Sequence, residues 1–377
     1  MAYATIRDVA RRAGVSVSTV SRALNDSGRI SQETRDRVRQ VIEELQYVPD
    51  SRARSMHSLH SQAVGLLIPD IRNSYFADLA YSVQHELLRH DLQTLICTAD
   101  DRPDQERTLV GNLLGQHIDG AIVVPSPSPS PAVDRLLRQG IPVVYIDRTP
   151  SAGPDGQTGR VPVVDADPRS GLRSAIADLH AQGHRRVTLI TGSLEDSDTL
   201  RERRRVFERE LSRFPDMSDP QTQDPGIRLG WEPGSTARNA RLAAVLKERG
   251  TTAVVFSRSQ DAIEALGTFQ GAGWVIGRDL SLVSFDDLPI FSLLTPSISV
   301  ISQQVDRMGA VSVATLLRLM KGEEARSLRL ETRYIRRQSV GPSPGSAAGV
   351  TAPPGTPVLP NGRRVCKGQP GGTGNDP

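Results

Sequence analysis

From Thr5 onward the apolar residues fall at Ile6, Val9, Ala10 and Ala13, the i, i+3, i+4, i+7 stripe of a short helix that Thr5 caps and Gly14 stops. The pattern predicts a second short helix from Ser16 to Asn25. A third, opened by Ser31, carries Val38, Val41, Ile42 and Leu45 on its inner stripe. Three such helices form a small bundle over residues 1–48. Residues 49–62, inside the stretch VPDSRARSMHSLHSQ, have no core pattern and read as a linker with a helical turn after Pro49.

Beyond this linker the texture changes. Short apolar runs at 63–70, 92–100, 118–125 and 141–148 alternate with helical segments at 76–90, 103–116 and 132–139. The rhythm continues with runs at 161–167, 185–192, 253–257 and 280–287, and helices near 170–182, 199–213, 236–249 and 260–271. Alternation of this kind predicts βαβ units and parallel sheets. The strands are too many for one comfortable sheet, so residues 63–340 read as two α/β lobes with a ligand site between them, beyond the carboxyl ends of the strands. PSPSPSP at 125–131 and TPSAGPDGQTG at 149–159 are loops. The Gly, Pro and Ser-rich stretch 341–377 is expected to be a disordered tail.

A chain of 377 residues suits two or three domains. No run approaches the roughly 20 apolar residues of a bilayer span, and MAYATIRDVARR lacks the apolar centre of a signal peptide, so a cytoplasmic protein is expected. Two cysteines, Cys97 and Cys366, support neither a disulfide framework nor a cysteine metal site, and no metal or cofactor is expected. Residues 1–60 hold ten arginines against seven acids, which accounts for the whole net charge of +3. A basic excess on a small end module suits a polyanion such as DNA.

At 100° per residue the second helix places Val17, Ser18, Ser21 and Arg22 on one side and Ser16, Thr19, Val20 and Ala23 on the other, where they can pack on the first helix. The outer set is small enough to enter a major groove. Arg22 suits guanine O6 and N7, Val17 suits a thymine methyl, and the hydroxyls of Ser16, Thr19 and Ser21 suit phosphates.

The run TIRDVARRAGVSVSTVSRALN resembles the N-terminal signature of the LacI/GalR family of bacterial transcriptional repressors. The resemblance continues through SQETRDRVRQVIEELQYVPDSRARSM, IPDIRNSYFADL, VVYIDR, DLHAQGHRRVTLITG, LSLVSFDD, LTPSISVISQQVDRMGAVSVATLL and YIRRQS, in family order over nearly all of residues 5–340. It implies a small all-α helix-turn-helix domain followed by an α/β two-lobed core like the periplasmic binding proteins. It further implies that Val17, Ser18 and Arg22 read bases, with Thr5 among the DNA contacts. The matching hinge positions are Ala53 and Met56, Met56 as the minor-groove wedge, with Arg52 and Arg54 available for phosphates. Asp50 stands where the family usually has asparagine.

Effector positions implied by the same resemblance are Asn73, Tyr75, Phe76, Asp147, Arg203, Trp231, Ser259 and Asp286. An arginine and two carboxylates among aromatic rings suit a polyhydroxylated ligand, a sugar or related polyol. Ser259 and Gln260 replace the family's usual Asn-Asp pair, and Val206 and Ser284 replace common glycines. The resemblance implies a homodimeric repressor on a pseudopalindromic double-stranded DNA operator, released or engaged by a small molecule. The Ser259-Gln260 departure keeps open control by a protein partner or constitutive repression, and a cytoplasmic solute-binding protein is the remaining, less favoured reading. The tail has no heptad pattern for a tetramerising coiled coil. Catalysis is not expected: G-x-S-x-G, P-loop and H-E-x-x-H motifs are missing, and Gly183-His184 reads as a turn before a strand.

Overall fold

The computed structural model describes residues 4–24, 30–47, 61–126, 131–149, 161–191, 197–217, 226–228 and 236–345. The N-terminal module consists of α1 (Ile6–Ala13), α2 (Val17–Leu24) and α3 (Gln32–Glu44). Thr5 caps α1 in a reciprocal capping box with Asp8, and Gly14 ends the helix in the left-handed conformation (φ 65°). Ser31 caps α3, its hydroxyl accepting from the Thr34 N–H. Val9, Ala10, Ala13, Val20, Ala23, Val38 and Val41 form the bundle core. Their spacing along each helix is what makes one face of each helix apolar.

The remaining elements are β1 (Ala63–Ile68), α4 (Ser74–Leu88), β2 (Gln93–Thr98), α5 (Pro103–Gly115), β3 (Gly120–Val123), α6 (Ala132–Arg138), β4 (Val143–Ile146) and β5 (Val163–Asp167). They are followed by α7 (Arg169–Ala181), β6 (Val187–Thr191), α8 (Asp198–Leu211), a short 3₁₀ turn at Pro215–Met217, β7 (Gly226–Arg228), α9 (Thr236–Glu248), β8 (Ala253–Phe256) and α10 (Ser259–Gly271). The chain continues through β9 (Ser281–Phe285), α11 (Pro289–Leu293), β10 (Ser299–Ser302), α12 (Val305–Met320), β11 (Leu328–Glu331) and β12 (Arg333–Ile335).

Two six-stranded sheets result, in the orders β11-β5-β4-β3-β1-β2 and β12-β10-β9-β8-β6-β7. All pairings are parallel except β10 with β12. Strands β1, β3, β4, β6, β8 and β9 are buried along their whole length, as parallel strands covered on both faces must be, and this is why they read as unbroken apolar runs.

The chain passes between the lobes three times: after β5, after β10, and between β11 and β12. These passages are stitched to one another. The Thr332 hydroxyl donates to the Asp167 carbonyl at 2.9 Å and accepts from the Gly171 N–H at 3.0 Å, and the Gln304 amide donates to the Glu331 carbonyl. Gly171 has no room for a side chain, because an added Cβ would lie 2.4 Å from Ile301 Cγ2 and 2.7 Å from Thr332 Oγ1.

The second lobe keeps hold of the chain a little past residue 340. His184 bridges the Thr252 hydroxyl and the Gly341 carbonyl, and the Ser343 N–H donates to the Gln182 carbonyl. Burial holds the His184 pKa below its usual range, and a fully buried ring with both nitrogens engaged is a structural member of this turn. The expected tail beyond Gly345 lies outside the described residues. Among the described residues no helix is long and apolar enough to cross a membrane.

Candidate functional site

The first candidate surface is α2. Val20 and Ala23 are buried in the bundle, while Val17 is 42% exposed and Ser18 and Arg22 also face outward. Ser16 departs from the helical-wheel expectation of an inner face: it is exposed. It stands just before the helix, where its hydroxyl accepts from the Thr19 N–H at 3.2 Å and lies 2.8 Å from the hydroxyls of both Ser18 and Thr19. A residue in the capping position is not on the helical wheel, so it has no inner face. Thr5 is also engaged, its hydroxyl donating to the Asp8 carboxylate at 2.6 Å. That hydrogen bond is the main reason the Asp8 carboxyl sits below its ordinary range. Ser21 is half-buried. Arg52, Ala53 and Met56 lie outside the described residues.

The second site is built at the carboxyl ends of the core strands. Asp147 is the first residue after β4 and Asp286 the first after β9, one in each sheet, and both adopt the left-handed backbone conformation (φ 72° and 65°). Aspartate tolerates this conformation better than most residues, and the kink turns each side chain away from the strand direction. The Asp147 N–H donates to the Val164 carbonyl and the Asp286 N–H to the Ile301 carbonyl, so each residue still pairs with the neighbouring interior strand.

From the first lobe, Tyr75 near the start of α4 donates its hydroxyl to Asp147. Phe76 packs edge-on against the Tyr75 ring and beneath the Arg148 guanidinium. From the second lobe, Asp286 accepts from the Ser259 hydroxyl at 3.1 Å and from the Gln303 amide at 2.7 Å. Arg203 on α8 is 6% exposed, stacks 4.1 Å over the Phe285 ring, and donates to the Ser257 carbonyl.

Electrostatics tie the two halves into one site. Burial pushes the Asp286 carboxyl up, with Asp147 adding to the effect, while Arg203, Gln303 and Ser259 oppose it. The Tyr75 phenol is raised well above its usual value by burial first, then by Asp147 and Asp286, again opposed by Arg203. Tyr75, Asp147, Arg203 and Asp286 therefore share one buried electrostatic environment assembled from both lobes, with Ser259 held against Asp286. This environment offers carboxylate acceptors, the guanidinium groups of Arg203 and Arg148 and aromatic faces at the carboxyl ends of the strands. It can bind a ligand rich in hydroxyl donors. Among the described residues no group of His, Cys, Asp and Glu could hold a metal.

Other expected positions fall differently. The Asn73 side chain caps α4, accepting from the Tyr75 N–H at 3.1 Å, so it shapes the site by starting the helix that delivers Tyr75. Gln260 reaches along α10 to Glu264, and the neighbouring Asp261 turns away to a bidentate pair with Arg258. Trp231 lies outside the described residues. Val206 is buried in the second-lobe core, and Ser284 donates its hydroxyl to the Phe285 carbonyl. Gln303 and Arg148 were not expected in the site: Gln303 sits in the polar stretch SQQVDRM, and Arg148 ends the apolar run 141–148, where a charged residue reads as the strand's exposed exit.

Residues 5–50 match the family described as bacterial regulatory proteins, lacI family, and residues 176–340 match the periplasmic binding protein-like domain. The ribose operon repressor of Halalkalibacterium halodurans is 30% identical over 340 residues, an alignment spanning 89% of this chain and 96% of that protein. The chain belongs to the LacI family of bacterial regulatory proteins. It is a DNA-binding regulator of transcription, with the helix-turn-helix module and two-sheet core of that family. The LacI-family fold recurs in the lac repressor dimer bound to operator and the anti-inducer ONPF, with a TM-score of 0.75 at 24% identity over 90% of this chain and all of that one. It also recurs in the complex of the transcriptional regulator CelR with cellobiose, with a TM-score of 0.63 at 26% identity over 89% of this chain and 99% of that one.

Proposed function

We propose that this LacI-family chain is a homodimeric repressor whose affinity for a pseudopalindromic operator is set by a sugar or related polyol bound between the core lobes. The observation that carries the effector reading is the convergence of Tyr75 and Asp147 from one lobe with Arg203, Ser259 and Asp286 from the other. A ligand that touches both lobes has different affinities for their open and closed arrangements, which is the physical requirement for controlling a distant DNA module. The names of the ribose operon repressor and of the CelR complex with cellobiose support the ligand class.

In this reading Val17 and Arg22 contact base edges from α2, Ser18 reads beside them, and Thr5, Ser16, Thr19 and Ser21 contribute phosphate contacts. Ser16 and Thr5 do so while also capping their helices, so their backbone N–H neighbours share the work. Residues 49–62 serve as the hinge, with Arg52 on phosphates and Ala53 and Met56 toward the minor groove. The regulator works in the cytoplasm, where its DNA is, and the site binds without catalysing. A row of exposed side chains on α4, Tyr81, His85 and Leu88, together with Ile290 and Leu293 on α11, supports pairing of two copies.

Calorimetric titration of the purified protein with a panel including D-ribose and cellobiose tests the reading, alongside Asp286→Ala. At least one member of the panel should bind the wild type and lose most of its affinity in the variant. DNA selected from a random pool should still bind both proteins. Equal sugar affinity in the two proteins would remove Asp286 from the site, and a panel without any binder would remove the ligand class.

A further inference from the structure

Arg329 lies on β11, in the sheet of the first lobe. Its guanidinium is anchored there by Asp165 on the adjacent strand β5 at 3.0 Å and by the Ala166 carbonyl at 3.3 Å. The same guanidinium reaches across to α8 of the second lobe and meets both carboxylate oxygens of Glu202, at 3.0 and 2.8 Å. Glu202 immediately precedes Arg203, whose guanidinium belongs to the effector site. On the adjoining passage between the lobes Asp167 and Arg169 form a second pair, with Arg169 Nε 2.8 Å from Asp167 Oδ2.

We propose that the bidentate Arg329–Glu202 pair is a latch between the lobes that favours the arrangement seen here and couples lobe closure to the effector site through α8. The inference rests on the effector reading above for its second half only. Arg329 is positioned by groups of its own lobe, so its fork is already aimed when α8 approaches, and little side-chain freedom is lost on pairing. Glu202 and Arg203 are consecutive on one helix, so a ligand that draws Arg203 toward Asp147 carries Glu202 with it. Opening the lobes breaks this pair but leaves the Arg329–Asp165 pair intact, so the latch can release without unfolding either lobe. A half-exposed pair of this kind acts as a bias, strong enough to shift the lobe equilibrium and weak enough to be overcome.

The test is pulsed electron resonance on the ligand-free full chain. Spin labels are placed on Arg107→Cys in α5 and Gln270→Cys in α10, with Cys97 and Cys366 replaced by serine and with excess unlabelled protein to suppress signals between chains. Glu202→Gln and Arg329→Gln should each broaden the distance distribution toward longer separations, and the double variant should broaden it no further than either single variant. High salt should produce the same broadening in the wild type and little in the variants. Unchanged distributions in both single variants would overturn the latch, as would a double variant showing the sum of two separate shifts. Thermal unfolding of Glu202→Gln, which keeps the Arg329–Asp165 pair, identifies any effect that is only misfolding. D-ribose and cellobiose are then added to each sample. If a sugar narrows the wild-type distribution, its affinity should fall about two- to fivefold in Glu202→Gln, the range expected of a half-exposed pair. If neither sugar changes it, D-ribose and cellobiose are removed as ligands that move the lobes, while the ligand-free comparison still decides the latch.

Discussion

Replacing Arg203 by leucine tests whether the buried charges of the cleft form one balanced unit. Arg203 opposes the upward push that burial exerts on Asp286 and on Tyr75, and the leucine keeps apolar volume over the Phe285 ring. Removing one member of a buried charge set costs about 3–5 kcal/mol, because the remaining charge is left uncompensated. Asp286 has an escape, since a buried carboxyl can take up a proton instead, so the loss should sit near the lower end, about 3 kcal/mol. The sign of the pH dependence follows from the direction of the shift. A carboxyl whose folded pKa is raised above its ordinary value of 3.8 contributes stability below that value and loses it as pH rises through the folded pKa. Without Arg203 the folded pKa rises further and the window widens. The Arg203→Leu deficit should therefore be largest at the alkaline end of a pH series and shrink as pH is lowered toward the ordinary carboxylate range. By thermal denaturation the midpoint should fall by about 6–12 °C at the higher pH, using about 2–4 °C per kcal/mol for a core of this size. Adding Asp286→Asn should restore much of the loss, because the amide needs no counter-charge. A pH-independent deficit, or a double variant whose losses simply add, would refute the claim that Arg203 and Asp286 share one environment.

Three further outcomes follow from single contacts. Arg22→Ala should lose about 1–3 kcal/mol of discrimination between bases while the fold is kept, so sequences selected from a random DNA pool should become less sharply defined at one or two positions in each half-site. Gly171→Ala should cost about 1–3 kcal/mol, since its methyl has to displace Ile301 or Thr332 where two passages between the lobes meet, and the thermal midpoint of the core reports it. Thr5→Ala should weaken the first helix by about 1 kcal/mol through loss of the capping box. Hydrogen exchange read by mass spectrometry should accelerate in residues 6–13 and stay unchanged in the core.

Much of the fold could be read from the sequence because parallel strands buried on both faces leave uninterrupted apolar runs. β1, β3, β4, β6, β8 and β9 all fall within runs visible in the sequence. β7, β10, β11 and β12 escaped because none is an unbroken apolar run: GIR, LRLE and RYI carry charged residues, and SISVIS mixes serine with apolar residues at buried positions. Their loss hid the third passage between the lobes. As a result α12, which packs against α4, was not seen to return the chain to the first lobe. In the N-terminal module the caps at Thr5 and Ser31 were legible because a hydroxyl followed by an amphipathic stripe has one local meaning. Ser16 was misplaced because a wheel drawn one residue too early gives a capping residue an inner face.

The site shows the same division between local and assembled signals. Tyr75, Asp147 and Asp286 stood out by their places in ordered family landmarks, Arg203 by its matching place on a second-lobe helix and Ser259 as a departure from the family's usual asparagine, and the structure brings their side chains into one environment. Gln303 lies within the landmark LTPSISVISQQVDRMGAVSVATLL, but a glutamine in SQQVDRM looks like an exposed loop residue and was not singled out. Its burial follows only from β10 ending beside β9, whose next residue is Asp286. Gln303 and Gln304 then divide two tasks between neighbouring positions, one amide holding the Asp286 carboxylate and the other holding the carbonyl of Glu331 at the next passage. Gln303 thus joins the Asp286 carboxylate to the stretch that leaves β10 on its way between the lobes, and its neighbour Gln304 joins that stretch to Glu331.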